Sequence, residues 1–112
     1  MKAITTDTFD AEVRQALEPV LVDFWGPRCA PCLALMPAVE KLADQYEGRL
    51  KVVKVNASEN RKLCIQLRVL GLPTFLLFIG GNEVARKTGE IKAGELPAWI
   101  EETLLQSAQK SN

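Results

Sequence analysis

The most telling segment of the sequence is Val20-Leu21-Val22-Asp23-Phe24-Trp25-Gly26-Pro27-Arg28-Cys29-Ala30-Pro31-Cys32. The run up to Trp25 is dominated by β-branched and aromatic residues, which predicts a short strand buried on both faces of a sheet. Two cysteines with two residues between them follow that strand and open a stretch with helical periodicity. A Cys-x-x-Cys placed between a strand and a helix points to thiol redox chemistry.

The predicted position of the cysteines favours that chemistry. At the start of a helix, Cys29 meets unpaired backbone N–H groups and the positive end of the helix dipole, which both favour the thiolate over the thiol. Arg28 adds a neighbouring positive charge. Cys32 lies one helical turn further on, so oxidation would close a small disulfide ring that Pro31 stiffens.

A structural zinc half-site is the alternative for a Cys-x-x-Cys. Zinc needs four ligands, usually Cys or His. The sequence has no His and three Cys, so one chain cannot supply a complete Cys-only site. The third cysteine, Cys64, falls in a predicted helix where small apolar packing is the default for a free Cys.

Asp23 is the one charged residue in an otherwise apolar strand. Burial of a carboxylate is costly, so we expect Asp23 to lie behind the cysteines with a raised pKa, where it can deprotonate Cys32. An edge position facing solvent is the alternative. Lys54 similarly interrupts Val52-Val53-Lys54-Val55, either as a partner for Asp23 on the adjacent strand or through simple alternation of strand faces.

Length and composition set the class of protein. With 112 residues, 47% of them hydrophobic, we expect one domain over residues 1–107 and a polar tail over residues 108–112. The 14 basic and 14 acidic residues give no net charge that would favour nucleic acid or an anionic membrane. No apolar run reaches the ~20 residues of a membrane span, and the N-terminus lacks a signal-like apolar run, which predicts a cytoplasmic protein. A secreted form with its signal already removed stays open.

The periodicities predict the element order β-α-β-α-β-α-β-β-α, an α/β mixed sheet with helices on both faces. We expect an edge strand at Ile4, a first helix capped by Thr8 or Asp7 and stopped by Pro19, and a long helix that ends near Gly48. The apolar residues expected on the first helix are Phe9, Val13, Ala16 and Leu17. The remaining elements are a strand over 50–55, a helix over 60–67, a hairpin of 75–79 and 83–87 joined by Gly80-Gly81-Asn82, and a final helix over 91–105 with an apolar stripe that includes Leu105.

These features together resemble the thioredoxin family over nearly the whole chain, from the first helix to Trp99. The resemblance rests on Val22-Asp23-Phe24-Trp25, the Cys-x-x-Cys, Pro37, Lys54, Gly71-Leu72-Pro73-Thr74, Gly80-Gly81 and Gly89. It implies the thioredoxin fold: a mixed central sheet of about five strands with four helices on both faces.

The resemblance also implies a mechanism of protein-disulfide reduction. Cys29 attacks a protein disulfide as the nucleophile and Cys32 resolves the mixed disulfide, while Asp23 accepts and donates the proton with its pKa tuned by Lys54. A thioredoxin reductase supplies the electrons, so no cofactor is expected in this chain, and we expect a monomer that binds disulfide-containing proteins. The residues expected to line the substrate groove are Trp25, Arg28, Ala30, Pro31, Gly71, Leu72, Pro73 with a cis peptide bond, and Gly89.

The sequence departs from the family pattern around the dithiol. Ala30-Pro31 replaces the usual Gly-Pro, Arg28 replaces an aromatic residue, and Leu33 replaces a basic residue. These changes predict altered partner choice rather than altered chemistry. Two alternative functions are a non-catalytic binding or assembly module with this fold and a disulfide oxidase or isomerase of the cell envelope.

Overall fold

The computed structural model describes residues 1–110 and contains one five-stranded sheet with strand order β1-β3-β2-β4-β5. The strands are β1 (Lys2–Ala3), β2 (Val20–Trp25), β3 (Lys51–Asn56), β4 (Thr74–Ile79) and β5 (Asn82–Thr88). β3 pairs parallel with both β1 and β2, whereas β4 runs antiparallel to β2 and to β5. The predicted mixed sheet of five strands is confirmed.

Four helical segments accompany the sheet in the described residues, apart from two single 3-10 turns. They are a π-helical turn (Asp10–Arg14), α1 (Ala30–Gln45), α2 (Arg61–Gln66) and α3 (Leu96–Lys110). α1 and α3 pack on one face of the sheet, and the π-helical turn and α2 pack on the other. No helix among residues 1–110 has both the length and the apolar character that crossing a bilayer requires.

The alternation of side chains along β2 creates both cores. Val20, Val22 and Phe24 are fully buried with the residues of the π-helical turn and α2. Leu21 packs with α1 and α3 instead. Because strand side chains alternate between faces, Asp23 lies on the same face as Leu21, beneath α1.

The first predicted helix is much shorter than expected. It is a π-helical turn, in which the Gln15 N–H donates to the carbonyl of Asp10, five residues earlier, at 2.9 Å. Leu17 is fully exposed rather than on the apolar face. Phe9 occupies the N-cap position without a side-chain hydrogen bond, so the expected cap by Thr8 or Asp7 was wrong. Pro19 has no N–H and disfavours a helical conformation at Glu18, so no helix continues into β2.

Other boundaries differ by a few residues. α1 ends at Gln45 with Tyr46 as its C-cap, short of Gly48. The hairpin turn consists of Gly80 and Gly81, both with positive φ, and Asn82 already belongs to β5. α3 begins after a 3-10 turn and continues past the boundary placed at residue 107, and Leu105 is 60% exposed rather than on the apolar stripe. Residues 111–112 of the expected tail lie outside the described part of the chain.

Candidate active site

Cys29 and Cys32 form a disulfide at the start of α1, with their Cα atoms 5.2 Å apart. Cys29 is the N-cap residue, and its Sγ accepts a hydrogen bond from the Cys32 N–H at 3.2 Å. Cys32 is 2% exposed, whereas Cys29 is partly exposed. The pair is therefore oxidised in this structure, and Cys29 is the more exposed of the two cysteines.

Asp23 lies beneath the helix that carries the cysteines. It is 2% exposed, and the sheet register places it between Lys54 on β3 and Phe75 on β4. Burial raises the pKa of Asp23 to about 7, and the charge of Lys54 opposes that rise. A group that titrates near neutral pH can both take up and release a proton, which suits general acid–base chemistry.

Lys54 faces the same side of the sheet as Asp23. Its Nζ lies 5.9 Å from the centroid of the Trp25 ring, within the range of a cation–π contact. Within residues 1–110, Lys54 and Asp23 do not form an ion pair. The ammonium therefore acts on the carboxyl group as a nearby charge rather than as a bonded partner.

The loop before β4 is anchored by short hydrogen bonds. The Leu72–Pro73 peptide is cis. The Thr74 hydroxyl donates to the carbonyl of Gly71 at 2.6 Å, and the Gly89 N–H donates to the carbonyl of Pro73 at 3.2 Å. These bonds hold the loop from Gly71 to Thr74 and the end of β5 as one unit.

Gly26 lets this loop approach the dithiol. A Cβ at position 26 would lie 3.1 Å from Leu72 Cδ1 and 3.9 Å from Cys29 Cβ. Leu72 thus covers the backbone of Gly26 beside Cys29. A side chain at position 26 would push the loop away from the disulfide.

A cleft of about 650 Å³ opens next to Cys29. Its lining consists of Gly26, Pro27, Arg28, Cys29, Ala57, Ser58, Arg61 and Leu72. A second cleft of about 440 Å³ shares Ala57, Arg61 and Leu72 with the first and also reaches Gly71. The linings of these two clefts therefore contain four of the predicted site residues: Arg28, Cys29, Gly71 and Leu72.

Three other predicted groove residues are not among the linings of these two clefts. Trp25 lines a separate cleft of about 410 Å³ beside the N-terminal segment, and Ala30 and Pro31 are exposed on the first turn of α1. Ser58 and Arg61 were missed by the sequence analysis. They belong to the connection after β3, where no motif marks them, and only the folding of that connection against Cys29 reveals them.

Cys64 packs with Leu63 in the core on the α2 side, as expected. Burial raises the pKa of its thiol. The part of the chain that the structure describes contains no cluster of three or more His, Cys, Asp or Glu side chains suited to a metal ion.

The chain is similar in sequence to known proteins of one family. The chain matches the family model described as Thioredoxin over residues 1–102. It is 42% identical over 101 residues to thioredoxin 1 of Nostoc sp., and the alignment covers 90% of this chain and 94% of the relative. Thioredoxin of Acidithiobacillus ferridurans is 39% identical, with 90% of this chain and 94% of the relative aligned. Thioredoxin of Allochromatium vinosum is 38% identical, with 88% of this chain and 92% of the relative aligned.

Proposed function

This chain belongs to the thioredoxin family, and from that premise we propose how its individual residues reduce disulfide bonds in other proteins. The family and the Cys29–Cys32 pair make it a protein-disulfide oxidoreductase that acts by dithiol–disulfide exchange. The roles of the residues, the direction of the reaction and the partners are our proposals. The observation that carries them is a disulfide with one partly exposed and one buried cysteine above a buried carboxyl group.

In the first step, Cys29 of the reduced protein attacks a disulfide of the substrate. A bond forms between Cys29 Sγ and one substrate sulfur, and the other substrate sulfur leaves as a thiolate that then takes up a proton. The partial exposure of Cys29, its position at the start of α1 and the neighbouring Arg28 support its role as the nucleophile.

In the second step, Cys32 resolves the mixed disulfide. Asp23 takes the proton from the Cys32 thiol, and the resulting thiolate attacks Cys29 Sγ. The substrate's second sulfur leaves as a thiolate and takes up a proton, while the Cys29–Cys32 disulfide forms. Two electrons and two protons have then passed to the substrate. The position of Asp23 beneath α1 and its pKa of about 7 support its role, with Lys54 as the charge that tunes it.

The substrate chain is proposed to lie along the loop of Gly71, Leu72 and Pro73. The hydrogen bonds that anchor this loop, and the contact of Leu72 with the backbone beside Cys29, support that placement. Trp25, Ala30, Pro31 and Gly89 are proposed to frame the same groove. A separate thioredoxin reductase is proposed to return the dithiol to its reduced form, and a reductant of this kind belongs in the reducing cytoplasm.

Single-turnover reduction tests the roles of the cysteines. The protein is reduced, freed of reductant and mixed with a disulfide-containing protein, and released thiols and covalent adducts are measured by alkylation and mass spectrometry. We expect the wild type to release two thiols per chain and Cys29→Ser to release none. Cys32→Ser should stop at a covalent adduct through Cys29, and the same variant should capture natural substrates.

Cys64→Ser is the matched control because it removes a thiol buried in the core. We expect it to react like the wild type. The assignment of the nucleophile would be wrong if Cys29→Ser reduced the substrate at the wild-type rate.

The redox equilibrium with glutathione tests the direction of the reaction. A reductant keeps its own disulfide oxidised even in strongly reducing glutathione buffer, because its dithiol gives up electrons readily. We expect this behaviour, measured as the alkylated fraction of Cys29 and Cys32. Ready reduction by glutathione would instead indicate an oxidase or isomerase.

A further inference from the structure

Two arginines border the cleft beside Cys29. Arg28 precedes the disulfide, and Arg61 is the first residue of α2, so two separate parts of the chain bring these charges to one opening. Both residues are exposed. The lining residues include no Asp or Glu. The opening therefore carries a local positive charge although the whole chain is neutral.

Neither guanidinium is neutralised by the protein. In the described part of the chain, Arg28 and Arg61 have no ion-pair or hydrogen-bond partner for their side chains.

Three of the four other arginines pair with a carboxylate. Arg14 pairs with Asp10 at 2.7 Å, Arg49 with Glu101 at 2.8 Å and Arg86 with Glu83 at 2.7 Å. The two cleft arginines thus keep their donors available for a ligand.

Guanidinium groups select carboxylates. Each presents a planar fork of N–H donors that fits the two oxygens of a carboxylate, and an unpaired positive patch also attracts negative partners before contact. Gly26, Pro27 and Leu72 also line the cleft and supply small or apolar surface for a polypeptide backbone.

We propose that this cleft selects disulfide substrates that carry Asp or Glu side chains next to the reacting cysteine. The inference rests on the proposed reduction of substrates through Cys29. Arg28 and Arg61 hold the flanking carboxylates while Cys29 attacks the substrate sulfur. They determine which substrates react fast and leave the chemistry of the exchange unchanged.

Synthetic disulfide peptides test this selection. Three peptides share one loop and differ only in the residues flanking one cysteine: Glu, Gln or Lys. Rates of single-turnover reduction by the pre-reduced full chain are measured at about 0.1 M and about 1 M salt, where the Debye length falls from about 10 to about 3 Å. We expect the Glu peptide to react roughly tenfold faster than the Lys peptide at the lower salt, with the Gln peptide between them and the differences mostly lost at the higher salt.

Arg61→Gln tests the residue itself. It should slow the Glu peptide by roughly threefold, the size expected for one exposed charge pair, and change the rate of the Gln peptide much less. Lys41→Gln removes the same charge from an exposed position on α1, roughly 15 Å along the helix from the cysteines. This control should keep the full preference for the Glu peptide.

The outcomes separate the two proposals. If the wild type reduces the Gln peptide but reacts no faster with Glu than with Lys, the selection is wrong and the proposed function stands. An equal slowing of the Glu and Gln peptides by Arg61→Gln would also overturn the selection, because it would reveal a structural role. If the wild type reduces none of the peptides, both proposals fail.

Discussion

At the scale of single residues, the burial of Asp23 makes the stability of the protein depend on pH. Its pKa rises from 3.8 to about 7 because burial disfavours the charged form. The native state therefore binds a proton more tightly than the unfolded chain between about pH 4 and pH 7, so the contribution of Asp23 to stability falls as the pH rises through that range. Glu12 and Glu101 have lowered pKa values because of Lys2 and Arg49, so their contributions decline on the acid side instead.

Asp23→Asn removes this titration. Because a pKa shift of one unit corresponds to about 1.36 kcal/mol, we expect the oxidised variant to be more stable than the wild type by about 4 kcal/mol at pH 8, with the advantage shrinking towards pH 4. Urea unfolding at pH 5 and pH 8 measures both values. The same variant should slow resolution of the mixed disulfide. Parallel pH dependences of stability in the two proteins would contradict the assignment.

The burial of Asp23 follows from sequence, whereas the position of Arg61 does not. Apolar neighbours on both sides of Asp23 are local information, and a strand of that composition is almost always covered. The role of Arg61 depends on where the connection after β3 folds back, which no local pattern specifies. The sequence around Trp25 likewise gave no sign that it lines a cleft beside the N-terminal segment.

At the scale of elements, the hairpin turn and the π-helical turn constrain each other. Gly80 and Gly81 both have positive φ, at 60° and 81°, as a two-residue hairpin turn requires. A Cβ at Gly81 would lie 2.6 Å from the carbonyl oxygen of Arg14, whereas one at Gly80 would meet nothing within 4 Å. Only Gly81 therefore combines a strained φ with a close backbone contact.

Alanine at the two glycines separates these effects. Gly80→Ala should cost about 1 kcal/mol of unfolding free energy, the penalty of a left-handed conformation for a residue with a Cβ. Gly81→Ala should cost about 3 kcal/mol, because the hairpin must also move away from Arg14. Urea unfolding of the two variants measures the difference. Equal losses would mean that the two turns do not touch.

The elements were predicted well where the pattern was strong. Runs of β-branched residues located the central strands to within a residue, and the two glycines located the hairpin. The prediction of the first helix failed in its length: the apolar spacing was correct for Phe9, Val13 and Ala16, but the helical backbone ends at Arg14. Hydrophobic periodicity indicates which residues face the core, but the geometry of the next connection decides where a helix ends.

At the scale of the whole molecule, one sheet separates two cores. Leu63 is buried on the side of α2, and Ile100 is buried on the side of α1 and α3. About 10 Å separates a sheet from each layer packed on it, so side chains on opposite faces share few partners. The losses of unfolding free energy caused by truncations on the two faces should therefore add.

Truncations on the two faces test this separation. We expect Leu63→Ala to cost about 3 kcal/mol and Ile100→Val about 1 kcal/mol, with the double variant near their sum. Leu17→Ala is the control, and its fully exposed side chain should change stability by less than about 0.5 kcal/mol. A double variant that departs from additivity by more than about 1 kcal/mol would show that the faces are coupled.

The order of strands in the sheet was not predicted from the sequence. Periodicity predicted the elements, their order along the chain and the burial of β2 on both faces. It gave no reason for β1 to lie beside β3 or for β4 to run antiparallel to β2. Those pairings depend on contacts between residues far apart in sequence.

The two outer strands of the sheet also affect how separate molecules meet. β1 has two residues, and β5 carries Glu83, Arg86 and Lys87, of which the first two form an ion pair. A very short edge strand and a charged edge strand are poor templates for pairing with a strand from another molecule. The same sheet that builds the active site is thereby protected against growth into fibrils when the protein is concentrated.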